Sequence, residues 1–242
     1  MRRLLSAVAL LAVASLASAK PLASEDQLDV TDVAALKSGD WVQYDITTEF
    51  TPPGGGEKKV QKSSMKMACV KVDADSVWVE MSHSSEKEPD VEVVLLQYSK
   101  SQKKVTQAWT GKPGEAGKVL EVRPAAEKKA KSGKGSGKAG SEKLRVGDKE
   151  HDCVKLEVEL TQIFGAREVK SKVTAWFAKS VSFAFRLDDE KIRAQMFGQV
   201  EWTGPAPTAG GMVKMTTETD TVKSTMALAG TGTDAKQTLE VK

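Results

Sequence analysis

Histidine and cysteine are scarce, with two of each in 242 residues. A zinc site or catalytic triad built on imidazole would have to use His83 or His151. His83 lies in the polar run His83-Ser84-Ser85-Glu86 and reads as a solvated residue at a strand end. His151 and Cys153 are two apart and share a strand face, the minimum geometry for a thiolate–imidazole pair, but His151-Asp152-Cys153 brings no oxyanion element and no orienting third group. G-x-S-x-G, H-E-x-x-H and G-x-x-x-x-G-K-[ST] are all missing, which removes the usual support for acyl hydrolases, metalloproteases and P-loop enzymes. The acidic groups Asp73/Asp75 and Asp188-Asp189-Glu190 lack EF-hand spacing, and turns favour aspartate in any case. No catalytic, cofactor-binding or metal-ligating residue is assigned, and no cofactor is expected. Paired acids drawn from distant strands, as in glycoside hydrolysis, are the weakest of three functional classes.

Long apolar runs are also lacking: no stretch approaches about 18 consecutive apolar residues, so no transmembrane span is expected. The opening does carry a shorter run. Met1-Arg2-Arg3, the apolar residues 4–16 and Ala17-Ser18-Ala19 have the layout of a secretory signal peptide over residues 1–19, which implies a periplasmic or secreted protein. The formal net charge of +3 gives no footprint for nucleic acid. Arg2 and Arg3 leave with the leader, six lysines cluster between 124 and 143, and the rest is slightly acidic.

Residues 20–30 are polar and read as a flexible lead-in. Thr31 to Gly39 then has the signals of a short helix, with Thr31 as N-cap and Gly39 past its end. Period-two alternation takes over at Asp40, with Val42, Tyr44, Ile46, Thr48 and Phe50 on one face. Further strands are expected over 60–72, 77–81, 91–98 and 105–109, so that 31–123 forms the first part of a single β domain. Residues 124–143 are rich in lysine and glycine and read as a disordered loop, since such a stretch recovers little of its ordering entropy. The second part, 144–230, repeats the grammar with strands over 144–146, 149–161, 169–177, 192–202, 212–217 and 222–228. Residues 231–242 read as a flexible tail. Roughly ten strands with short connections predict a mainly β fold: an antiparallel meander forming a strongly curved sheet or an open half barrel, with one short N-terminal helix.

Cys69 and Cys153 are an even pair in a chain bound for an oxidising compartment, so they are a candidate disulfide, with two buried free thiols as the alternative. The bond would close a loop of about 84 residues, worth roughly 4 kcal/mol in chain-entropy terms. Five tryptophans fall one per strand or strand end. Trp41, Trp78, Trp109, Trp176 and Trp202, with Met65, Met67, Met81, Met196, Met212, Met215 and Met226 as adaptable neighbours, are the candidate lining of an apolar pocket, filling of the core being the other reading.

Gly39-Asp40-Trp41-Val42-Gln43-Tyr44, Val146-Gly147-Asp148 leading to Cys153-Val154-Lys155-Leu156, Trp176-Phe177-Ala178 and Gly210-Gly211-Met212-Val213-Lys214-Met215 together resemble uncharacterised secreted β-rich bacterial proteins. More remotely, the layout is similar to the periplasmic lipoprotein-carrier superfamily, whose half-open barrel holds acyl chains. That resemblance implies a non-enzymatic exported protein whose partner is a lipid or other apolar small molecule bound in the curved sheet. The alternative is a structural or interaction protein of the cell envelope, docking on an envelope protein through sheet edges or the basic segment.

Overall fold

The computed structural model describes residues 23–52, 56–86, 91–125, 133–164 and 167–241. The leader read over residues 1–19 lies outside these. The elements in chain order are β1 (Ala23–Ser24), β2 (Trp41–Phe50), β3 (Lys59–Val72), β4 (Ser76–Ser85), β5 (Glu92–Ser99), β6 (Lys104–Gly111), β7 (Lys118–Leu120), β8 (Val122–Arg123), β9 (Gly133–Val146), β10 (Lys149–Phe164), β11 (Arg167–Ala178), α1 (Glu190–Phe197), β12 (Gln199–Thr203), β13 (Gly211–Glu218) and β14 (Val222–Gly232).

Twelve strands form one curved, open sheet in the order β12-β9-β10-β11-β13-β14-β2-β3-β4-β5-β6-β7. Hairpins join most neighbours, and only β12 enters parallel to its partner, β9. The mainly β, half-barrel expectation therefore holds. The alternation that started it is visible in the register: Val42, Tyr44 and Ile46 of β2 stand opposite Met67, Met65 and Ser63 of β3, all on one face. The same face continues through Leu228 and Met226, Met215, Ala175, Leu156 and Ala139, and it carries the main apolar cluster. It is called the inner face below.

Four features depart from the sequence reading. The helix expected over 31–39 is one 3-10 turn, Val33–Ala35, with Asp32 rather than Thr31 at its start. Its neighbours are claimed by tertiary pairing: Thr31 bridges Phe185 and the Asp32 N–H donates to the Ala184 carbonyl at 2.7 Å. Leu36 ends that turn; Gly39, in the next one, stands at φ +95°, and a Cβ there would sit 2.2 Å from the Thr233 carbonyl oxygen, so the position admits only glycine. The α-helix occurs instead at α1, which overlaps the first part of the stretch 192–202 read as a strand. Asp189 caps it by accepting from the N–H groups of Lys191 (2.8 Å) and Ile192 (3.3 Å), Gly198 closes it, and Ile192, Met196 and Phe197 are buried.

The Lys/Gly segment is the third departure. From Gly133 onward it is β9, paired with β10 on one side and β12 on the other. Residues 126–132 of the expected loop lie outside the described residues. Gly135, Gly137 and Ala139 alternate with exposed Lys134, Ser136 and Lys138, a period of two written in small residues. A Cβ on Gly137 would meet Trp202 and Val200 at 2.7 Å, so the missing side chain is the space into which β12 packs. The fourth departure concerns the lead-in and tail, both read as flexible. Ala23 and Leu28 are buried in the main cluster, β1 pairs with β8, and Leu239 is buried on the other side of the sheet.

Candidate functional site

The inner face is the largest continuous apolar surface of the sheet, and two segments outside the sheet's ladder lie over it. Residues 23–36 contribute Leu28, Val33 and Leu36; residues 179–198 contribute Val181, Phe183, Leu187, Ile192, Met196 and Phe197. The two segments pair with each other through the Thr31–Phe185 bridge, the Asp32–Ala184 hydrogen bond and an Arg186 N–H donating to the Val30 carbonyl at 3.2 Å. They thus form one cover. Phe183 sits in it at φ 59°, a left-handed conformation that costs a bulky residue about 1–2 kcal/mol and persists only where packing holds it. Phe177 meets Phe185 edge to face at 5.6 Å, which ties the cover to β11.

Under the cover the lining is soft. Met65, Met212, Met215 and Met226 are buried, with Met67 and Met81 packed against them and Met196 pressing down from α1. Thioether chains with three rotatable bonds refill irregular space easily. The buried Tyr44 hydroxyl donates to the Met212 carbonyl at 3.2 Å, and burial drives its pKa well above the usual phenol range. Toward the far ends of β14 and β2 the face turns polar, where Ser224 and Thr48 hydroxyls meet at 3.2 Å and Thr217 is buried.

The expected pocket lining comes together in its methionines but not in its tryptophans. Met65 and Met67 are on the inner face, but Trp41, Trp78, Trp109 and Trp176 are on the outer one by register, facing away from Val42, Val79, Ala108 and Ala175. Trp41 donates to the Asp234 carboxylate at 2.8 Å, under the Lys66 ammonium at 4.7 Å from the ring. Trp78 and Trp109 stack on each other at 5.3 Å. Trp176 stands between the ammonium groups of Lys155 and Lys214. Trp202 packs edge to face on Phe197 at 5.8 Å, over Gly137. Tryptophan supplies rim and back packing; of the cover residues on α1, the sequence reading names Met196 but not Ile192 or Phe197. Their signal was available in Asp189 as cap, the Ile192/Met196 spacing of four and Gly198 at the end.

The disulfide is not formed: Cys69 and Cys153 are buried free thiols. The register gives the reason. Cys69 faces inward beside Met67, Cys153 faces outward beside Lys155, and β11, β13, β14 and β2 lie between their strands.

Two charged clefts lie elsewhere. One, of about 730 Å³, has Lys134, Glu159, Lys170, Lys172 and Glu218 in its walls. The other, of about 660 Å³, has Glu142, Glu150, Asp152, Cys153 and Ser180. There the Lys155 ammonium, and the Trp176 indole N–H behind it, hold the Glu142 carboxyl below its ordinary value, while Lys143 reaches Glu150 at 3.0 Å and Asp152 at 3.5 Å. Burial pushes the Cys153 thiol up to about 11. His151 turns to Ser180, Nδ1 to Oγ 3.3 Å, and the Cys153 thiol donates to the His151 carbonyl at 3.4 Å, not to its ring. At neutral pH this cleft holds a thiol instead of a thiolate, and a carboxylate instead of a proton donor. Of Asp188-Asp189-Glu190, Asp189 is the α1 cap, and Asp73 accepts from Trp78, Ser76 and Lys71 at a hairpin turn. Among the described residues no cluster of three or more metal-ligating side chains occurs. No helix among them is long and apolar enough to cross a membrane.

No protein-family model and no curated protein sequence matches this chain. Solved structures do. A protein described as exported, with a YmcC-like fold, from Bacteroides fragilis aligns with 81% of this chain and 96% of its own at 7% identity and TM-score 0.36. A DUF1329 family protein from Desulfovibrio piger aligns over 88% and 90%, at 11% identity and TM-score 0.30. A domain described as an outer-membrane lipoprotein-sorting protein, from Vibrio parahaemolyticus, aligns over 80% and 84%, at 8% identity and TM-score 0.24.

Proposed function

We propose that this is an exported, non-enzymatic carrier, working in the periplasm or outside the cell, that takes the alkyl portion of a lipid-like molecule between the inner face of the sheet and its cover. One observation carries the reading: a continuous apolar face, rich in methionine, is roofed by segments that belong to no strand of the sheet. Side chains of 23–36 and 179–198 now occupy the ground a ligand would take. An alkyl chain entering there exchanges one apolar contact for another, so its net hydrophobic cost is small, and release of the left-handed Phe183 returns strain. The signal-peptide layout read from residues 1–19 of the sequence supports export.

The test is native mass spectrometry of protein purified without detergent, followed by titration with a fluorescent fatty acid and a lipopeptide. Co-purified lipid, or saturable uptake at one ligand per chain, is the expected result. Met196→Ala, which loosens the cover without touching the sheet, should speed uptake. A protein that arrives empty and takes up neither probe, with the Met196→Ala variant equally inert, would overturn the proposal.

A further inference from the structure

The outer face carries a second apolar cluster, and its occupant is a segment of the chain itself. Val93, Leu95 and Trp109 form the floor, with Val70 and Trp78 beside them, and Leu239 and Val241 lie on top. Leu239 fits a socket between two glycines: a Cβ on Gly111 would stand 2.8 Å from one of its methyls, and a Cβ on Gly117 would stand 2.9 Å from the other. Next to the socket is Glu80, a carboxylate only 7% exposed. Its oxygens accept the Thr238 N–H at 2.8 Å, the Thr238 hydroxyl at 2.9 Å and the Leu239 N–H at 3.2 Å. The loop after β6 completes the grip through main-chain bonds: Gly114 N–H to the Thr238 carbonyl (2.8 Å), Gly117 N–H to the Glu240 carbonyl (2.7 Å) and Glu240 N–H back to the Glu115 carbonyl (3.0 Å).

These parts make up a recognition site for extended peptide. A buried anion reads two successive backbone N–H groups and a hydroxyl, a socket reads one leucine, and a loop reads the backbone on the other edge. None of these contacts belongs to the hydrogen-bond ladder of the twelve-stranded sheet, so the segment can leave without unzipping a strand. It is rooted upstream, where Trp41 holds Asp234 and the Ala235 N–H donates to the Gly39 carbonyl. We propose that this groove is a docking site for an extended segment of another polypeptide, of the form hydroxyl residue–leucine, and that residues 236–241 hold it in cis as an intramolecular competitor. The occupant's chemistry is set by the segment seen in place, Thr238-Leu239. The site lies on the opposite face from the proposed carrier groove and stands or falls independently of it.

The experiment uses the full chain and a fluorescein-labelled peptide of residues 234–241, read by anisotropy. A cis segment on a short tether competes at an effective concentration of about millimolar, so wild type should bind the peptide weakly. Leu239→Ala empties the socket, and the peptide, which keeps its leucine, should then bind about tenfold tighter. Adding Glu80→Gln to Leu239→Ala should take about tenfold off that affinity by weakening the anchor. Circular dichroism reports whether each variant retains the sheet, and hydrogen exchange of the 236–241 amides, faster in Leu239→Ala, reports whether the groove has opened. A folded Leu239→Ala protein with an opened groove and no saturable binding overturns the proposal. So does binding that ignores Glu80, or a concentration-dependent dimer in place of a peptide complex, which would assign the groove to a second copy of this chain.

Discussion

Gly137→Val paired with Gly140→Val discriminates between a mobile lysine-rich loop and a strand at the sheet edge. Both glycines lie in the same lysine-glycine segment, three residues apart. At Gly137 a Cβ would stand 2.7 Å from the Trp202 ring and from Val200, well inside contact distance, and both of those side chains belong to β12. Either β12 moves off or β9 bends. Overpacking of this kind costs about 1–3 kcal/mol, offset by roughly 0.5–1 kcal/mol because glycine orders less readily than other residues. The net loss is about 1–2 kcal/mol, or a fall in Tm of about 2–8 °C for a domain near 200 residues. At Gly140 nothing lies within 4 Å of the added Cβ, so valine there should be neutral or stabilise by up to about 1 kcal/mol. Urea unfolding followed by tryptophan fluorescence gives both numbers, and hydrogen exchange should show the β12 amides of Gln199–Thr203 opening only in Gly137→Val. Two variants indistinguishable from wild type would mean that the segment carries no packing, and the assignment of β9 to the sheet would be refuted.

Asp189→Ala removes the acceptor of two N–H groups at the start of α1 and should lower stability by about 1 kcal/mol, with Asp189→Asn keeping most of it; equal urea midpoints for all three would refute the cap. Both cysteines are buried free thiols, so an aromatic disulfide reagent should find two reactive groups in 6 M guanidinium and react slowly in buffer; no reaction in denaturant would reveal a disulfide. The folded state raises the Cys69 and Cys153 thiols from 9.0 to about 11. Folding therefore holds those protons, and the unfolded chain releases them first. Stability should be complete below about pH 9 and fall as pH rises toward 11, a slope that Cys69→Ser with Cys153→Ser should flatten.

The sequence by itself determined what depends on neighbours along the chain. Alternation from Val42 to Phe50 is enough to make a half-buried strand, since one face must be covered wherever apolar and polar side chains take turns. Hairpin turns such as Asp73 to Ser76 and Gly147-Asp148 then bring consecutive strands side by side, so the meander was legible. Glycine misled because composition counts it as flexibility. In β9 it is instead the small member of a two-residue period, and its role appears only when Trp202 arrives from residues far along the chain.

Tertiary structure decided everything that depends on which faces meet. The tryptophans could not be divided between inner face, rim and back from their spacing, because a strand pattern names two faces without saying which is the inside. Cys69 and Cys153 were a plausible pair until the register put them on opposite faces. Segments 20–30 and 231–242 read as flexible because each has too few apolar residues to hold itself together. Leu28 and Leu239 are ordered because the sheet offers each a prepared apolar surface, and that surface exists only once strands far apart in sequence have paired.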